Sequence, residues 1–460
     1  MVFCTFNFMM FLFSSKKIKV LFFAFMVGVV VQINAQDGFR FKNQAKKSER
    51  INFKLINNLV VLPLEINGKK LSFILDSGVS KTILFNISQN DSIGLKSVEK
   101  VQLQGLGDGE SVEALLSKNN RLSLNNLVSY NETIYVIVRD YFDLSSKMGT
   151  TIHGIIGYDL LSNFIVKINY KHKYIDFYNP KITKIKACRN CEELPLQFYR
   201  KKPFVDGYVQ LDTIGDKKTK VKLLIDSGGS DAIWLFEHSK DNIVTPNKFF
   251  KDILGEGLSG SIYGNRSRIP KIQLGNFEIE KPTVSFLDTL STKNARNFKE
   301  RNGSIGANIL RRFTVWFDYP NKRIIFKKNS SFKNDFNYNM SGLDVIYNGM
   351  QLVREENVKQ ATDSYNNNVD NKNSISFITS FSYSFKPAYK IKNVVEGSPA
   401  DIAGLLKGDE ILNLNNRPAH EYKLSQIVQK FQEKNGKKIK ITVNRNGKKL
   451  KFEFRLKRKI

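Results

Sequence analysis

One stretch of this chain is written twice. Around Leu75 the sequence reads Leu-Ser-Phe-Ile-Leu-Asp-Ser-Gly-Val-Ser-Lys-Thr-Ile-Leu-Phe, and around Ile225 it reads Val-Lys-Leu-Leu-Ile-Asp-Ser-Gly-Gly-Ser-Asp-Ala-Ile-Trp-Leu-Phe. A second landmark is doubled as well: Ile155-Ile156-Gly157-Tyr158-Asp159-Leu160-Leu161 answers Ser304-Ile305-Gly306-Ala307-Asn308-Ile309-Leu310. From Asp to Gly the interval is 81 residues in the first copy (Asp76 to Gly157) and 80 in the second (Asp226 to Gly306). Two landmarks at matching separation mark a duplicated unit.

Each copy has the period of β structure. Leu62, Leu64 and Ile66 alternate with other residues ahead of Asn67-Gly68, and Val209 and Leu211 do so ahead of Gly215-Asp216, the pattern of half-buried strands entering turns. Phe164, Val166 and Ile168 alternate towards Tyr170, as Phe313, Val315 and Phe317 do towards Tyr319. Turn signals follow at Asn179-Pro180 and Tyr319-Pro320-Asn321.

An apolar strand ending in Asp-Ser-Gly delivers a carboxylate from a mostly buried element to the surface of its lobe. Alone, the tripeptide is an ordinary turn or cap, since Asp and Ser bond nearby amides and Gly accepts positive φ. On two pseudo-equivalent lobes it means more: a two-fold relation brings Asp76 and Asp226 face to face, where like charges held close share one proton.

The repeated apolar-apolar-Asp-Ser-Gly, each copy followed by an apolar-Gly segment, resembles the two lobes of an aspartic peptidase of the retropepsin and pepsin type, over roughly residues 58–328. The resemblance implies a mainly β fold of two pseudo-symmetric lobes. It implies that Asp76 and Asp226 hold and polarise a water, that Ser77 and Ser227 brace the active loops across the seam, and that Gly78 and Gly228 let amides approach the carboxylates. No metal or cofactor is called for. A glycine-rich lid is expected at Gly105, Gly107 and Gly109, with Gly255, Gly257 and Gly260 in the matching place of the second lobe. The chain departs from the pattern twice. No tyrosine occurs from Val101 to Leu122, which points to the retropepsin-like branch or else to a weakened enzyme, and Ser304 replaces an apolar residue before Ile305-Gly306, which is expected to loosen packing behind Asp226.

After about Ser341 the character changes. Gly397-Ser398-Pro399-Ala400, Ala403-Gly404-Leu405 and Lys407-Gly408-Asp409-Glu410-Ile411 resemble a bacterial, protease-associated PDZ domain. Ser398 caps a helix with Pro399 in its first turn, Gly404 ends it, and a buried strand follows at Ile411 to Leu414. The resemblance implies a small β-rich domain with two helices that takes a peptide C-terminus as an added strand. The candidate carboxylate nest is Gly342 and Leu343, ahead of a strand from Asp344 to Tyr347, and the Asn-rich stretch 361–374 reads as an insertion.

Lys16, Lys17 and Lys19 precede the apolar run Val20 to Val31, and Ala35 stands where a signal peptidase cuts. Residues 1–35 are therefore expected to be a signal peptide, with export to a periplasm, cell surface or medium. The expected divisions are 36–190 for the first lobe, 191–335 for the second and 336–460 for the PDZ domain. The run is too short for a permanent helical anchor. The net charge of +29, from 72 Lys and Arg against 43 Asp and Glu, becomes +26 once three leader lysines are removed. That charge is spread along the chain, without the clustered basic-aromatic pattern of a nucleic-acid site. Cys188 and Cys191, isolated from any second ligand pair, read as a small disulfide loop in a linker. The sequence thus describes an exported, monomeric aspartic endopeptidase acting on polypeptide, its PDZ domain recruiting a peptide. The alternative is a peptide-binding scaffold on the same fold whose dyad does not turn over.

Overall fold

The computed structural model describes residues 38–87, 93–104, 111–138, 143–185, 188–212, 215–257, 260–361 and 376–460. The leader, the lid glycines Gly105, Gly107 and Gly109, and residues 362–374 of the Asn-rich stretch lie outside the described residues. Among the described residues the strands form four sheets, of nine, six, ten and six strands, and the fold is mainly β.

Both copies of the repeat build the same local weave. In the first, Lys69–Leu75 runs parallel to Gly154–Ile156 with Leu75 opposite Ile156, and Thr82–Leu84 lies antiparallel on the far side of Gly154–Ile156. In the second, Lys218–Ile225 runs parallel to Arg301–Ile305 with Ile225 opposite Ile305, and Ile233–Phe236 lies antiparallel beyond it. The Ile-Gly landmark is thus the strand threaded between the two arms that flank Asp-Ser-Gly. The glycine is demanded by crowding. A Cβ on Gly157 would stand 2.0 Å from the Asp76 carbonyl oxygen, and one on Gly306 would stand 2.2 Å from that of Asp231.

Ser304 is buried within this arrangement. Every residue of Arg301–Ile305 is buried, and the strand is flanked so closely that a Cβ on Gly303 would lie 1.9 Å from the Trp234 carbonyl oxygen.

The lobes meet in a shared six-stranded sheet. Its order is Cys191–Pro195, Arg323–Lys328, Phe313–Asp318, Ile165–Asn169, Tyr174–Tyr178, Ser48–Asn52. At its centre the equivalent closing strands pair antiparallel, Val166 opposite Phe317 and Ile168 opposite Val315. These are the alternating residues of the sequence pattern, and all four are fully buried in one apolar cluster that extends into both lobes. Cys188 and Cys191 are joined by a disulfide at the start of the outermost strand.

The C-terminal module has its own sheet and its own core, including Leu343, Val345, Ile391, Leu405, Ile411, Ile427 and Phe431. Ser398 Oγ accepts the Asp401 amide at 3.3 Å, Pro399 occupies the first helical position, and Gly404 has φ +90°. The strand expected to end at Tyr347 continues instead to Ala361, paired with Ser376–Val394. Cross-strand partners such as Leu352 with Phe385 and Arg354 with Tyr383 carry the pairing onward, and the Arg354 guanidinium lies 3.6 Å from the Phe381 ring centre. Among the described residues no helix is long and apolar enough to cross a membrane.

Because Phe317 fills the junction of the two lobes with no exposed surface, Phe317→Ala is expected to destabilise the fold by about 3–5 kcal/mol. Urea unfolding followed by Trp fluorescence would show the midpoint falling for the lobes together.

Candidate active site

Asp76 and Asp226 each begin where a buried strand stops. The Asp76 amide donates to the Ile156 carbonyl at 2.8 Å and the Asp226 amide donates to that of Ile305 at 2.9 Å, so both loops hang from the threaded strand of their lobe. The structure brings them against each other. A Cβ on Gly78 would stand 3.1 Å from Asp76 Oδ1 and 3.3 Å from Asp226 Cγ, and a Cβ on Gly228 would stand 2.2 Å from Asp76 Cγ. The two carboxyl groups therefore occupy one small space, and glycine is the residue that leaves room for them.

Ser77 and Ser227 lock this seam reciprocally. The Ser77 amide donates to Ser227 Oγ at 2.9 Å, and the Ser227 amide donates to Ser77 Oγ at 3.0 Å. Each hydroxyl then donates across the seam to a strand carbonyl, Ser77 Oγ to Ile225 at 2.6 Å and Ser227 Oγ to Leu75 at 2.8 Å. Both serines are buried. The remaining amides turn to the carboxylates: Gly78 donates to Asp76 Oδ1 at 2.7 Å, while Gly228 and Gly229 donate to Asp226 Oδ1 at 3.1 and 2.9 Å.

Burial, and then the neighbouring Asp226 charge, push the Asp76 carboxyl up to about 8, against the opposing pull of the Gly78 amide and Lys202. The physics is that of two acids competing for one site in a weakly polarisable surround, the arrangement known from aspartic-protease dyads. Lys202 carries no signal of its own in the sequence, being one lysine in a chain rich in them. It lies within electrostatic reach of both carboxylates, and its own burial pushes it down. Tyr319 also feels the Asp76 charge. Its hydroxyl and that of its pseudo-equivalent Tyr170 are buried without a hydrogen-bond partner among the described residues.

In the second lobe the loop after Asp226 is tied to the hairpin Phe250–Gly257 and Gly260–Arg268. Arg266 donates to both carboxylate oxygens of Asp231 at 3.1 and 3.2 Å and to Asp252 Oδ2 at 2.7 Å, while Trp234 Nε1 donates to Asp231 at 2.9 Å. This hairpin carries Gly255, Gly257 and Gly260. In the first lobe the loop after Asp76 is held from another position, where Asp159 Oδ2 accepts the Thr82 amide at 3.1 Å.

In the candidate carboxylate nest of the C-terminal module several amides have partners within the module. The Leu343 amide already donates to Ser341 Oγ at 3.0 Å, the Ser341 amide to Asn339 Oδ1 at 3.0 Å, and the Met340 amide to the Phe431 carbonyl at 2.9 Å. Gly342, at φ +83°, is packed on Ser398. The Ser341 hydroxyl holds the Leu343 amide, a role that spacing alone does not show.

With this geometry in hand, the likenesses to known proteins are informative. Residues 62–160 match the aspartyl protease family model and residues 390–445 match the PDZ domain model, so the chain joins an aspartyl-protease-like domain to a PDZ domain. No curated protein matches it. Among solved structures it is similar to the aspartic proteinase from Irpex lacteus, with 13% identity, 62% of this chain and 98% of that chain covered, and a TM-score of 0.40.

Ser77→Ala would leave the Ser227 amide and the Ile225 carbonyl unpaired inside the seam, at an expected cost of roughly 2–4 kcal/mol in chemical denaturation. A second expectation concerns pH. The unfolded chain loses the Asp76 proton near the ordinary 3.8, whereas the folded chain keeps it to about 8. The folded state therefore binds more protons in between, and its stability falls as pH rises from about 4 to about 8. Melting temperatures across that range should decline in the wild type, and Asp76→Asn should flatten the curve and raise its neutral end.

Proposed function

We propose that the chain is an exported aspartic endopeptidase in which Asp76 and Asp226 activate a single water, and that the PDZ module serves a polypeptide substrate or partner. The protease-like domain joined to a PDZ domain supports a peptidase on polypeptide. The observation carrying the finer reading is the closeness of the two carboxyl groups around Gly78 and Gly228. In the proposed step Asp226 takes a proton from the water, whose oxygen attacks the scissile carbonyl carbon. Asp76, which keeps its proton into the neutral range, gives it to the carbonyl oxygen to form a gem-diol. Collapse breaks the C–N bond: Asp226 passes its proton to the leaving nitrogen, and a gem-diol hydroxyl returns one to Asp76. Atoms and charge balance without any other reactant.

Export is proposed from Lys16, Lys17, Lys19, the apolar run and Ala35. The Cys188–Cys191 disulfide agrees with an oxidising compartment.

Casein incubated with purified protein at pH 3 to 8 should be cleaved by wild type and left intact by Asp226→Asn, at least a thousandfold slower on the order of a lost acid–base group. Cleavage by both would remove the dyad from the mechanism. Intact casein with both would favour the scaffold alternative.

A further inference from the structure

The PDZ sheet ends in Leu343–Ala361, whose only strand neighbour among the described residues is Ser376–Val394, so its other edge is the place for an added strand. The helix Leu424–Lys430 packs against this strand, and the groove expected between them is where such a strand would lie. That groove is not empty. The first-lobe helix Leu144–Met148 packs against Leu343–Ala361. Gly149, which ends that helix at φ +66°, sits so near the start of the PDZ helix that a Cβ there would be 2.9 Å from Leu424 Cβ. Leu424 is itself buried. Lys392 of the PDZ module closes the contact with an ion pair to Asp143 Oδ2 at 2.9 Å. Lys147 lines a cavity of about 540 Å³ with Gly342, Leu343 and Asp344, on which the second-lobe hairpin also borders through Phe250 and Asp252.

The docked helix is wired to the Asp76 loop. Ser145 Oγ accepts the Asn86 side chain at 2.7 Å and the Ile152 amide at 3.0 Å. Ile152 is followed directly by His153, whose amide donates to Ser72 at 2.8 Å, and by Gly154–Ile156, whose last carbonyl receives the Asp76 amide. Met148 is buried in the first-lobe core beside Ile74 and Phe85. From PDZ groove to Asp76 the path is one short run of chain with bonds at every stage.

We infer that the PDZ module holds the first lobe's own Leu144–Met148 segment as an internal ligand, and that this docking sets the position of the strand carrying the Asp76 loop. The inference rests on the peptidase reading only for its consequence in catalysis. A chain entering the groove has to displace the helix, so occupation of the PDZ edge and the setting of Asp76 become a single coupled equilibrium. The satisfied amides of Met340, Ser341 and Leu343 belong to the same closed state.

The test uses the full chain with Lys392→Asp, Asp143→Lys, and the exchanged pair that combines the two. Hydrogen exchange read across residues 143–156 should rise about two- to fivefold in each single variant, the range of an exposed ion pair, and return towards wild type in the exchanged pair. The casein cleavage rate should move with it. Unchanged exchange over 144–149 in all variants would overturn the docking, and a rise confined to 144–149 that never reaches 152–156 would overturn the coupling. If casein stays intact even with wild type, the peptidase reading fails while the exchange data still decide the docking.

Discussion

Two carboxyl groups pressed into one space repel unless they share a proton, and most of the molecule exists to hold them there. Burial, and then the neighbouring Asp226 charge, raise the affinity of Asp76 for that proton. The reciprocal serine bonds keep the loops from springing apart, and glycines on both sides leave no Cβ in the way. Behind the serines stand the threaded strands, and beneath them the shared sheet in which Phe317 and Val166 pair. Each layer restricts the freedom of the one above it, which is how a site is kept at sub-ångström tolerance on a β scaffold.

Much of this was legible in the residues, because duplication turns a weak signal into a geometric one. A single Asp-Ser-Gly reads as a turn; two at matching distance from an Ile-Gly landmark imply a seam. The alternating residues Phe164 to Ile168 and Phe313 to Phe317 likewise announced strands, though not that they would pair with each other. What stayed hidden depends on contacts between distant segments without a local pattern. Lys202 is lost among other lysines, and the Asp231–Arg266–Asp252 network joins positions that no periodicity relates. Leu343 seemed to offer a free amide because the role of the Ser341 hydroxyl appears only once the loop is folded. The ribbon beyond Tyr347 is legible in one arm only, where Phe381, Tyr383 and Phe385 alternate with Ser380, Ser382 and Ser384, while the facing run Arg354-Glu355-Glu356 carries no such period.

The lobes have diverged in how they are secured. The second uses a buried guanidinium spanning two carboxylates, which ties its hairpin to the loop after Asp226. The first relies on a lighter bond between Asp159 and Thr82, and it also receives the PDZ module through Asp143 and Gly149. The second-lobe hairpin meets the PDZ module as well, through the Phe250 ring 5.4 Å from that of Tyr338.

The interleaved basal sheet has a consequence for the nascent chain. Ile165–Asn169 finds its inner neighbour only in Phe313–Asp318, nearly 150 residues downstream, a wait of roughly ten to thirty seconds at ordinary rates of synthesis. Throughout that interval an apolar strand leaves the ribosome with an unpaired border, the kind of surface on which like chains aggregate. Duplication gave this protein its symmetry, and with it a period of exposure during every round of translation.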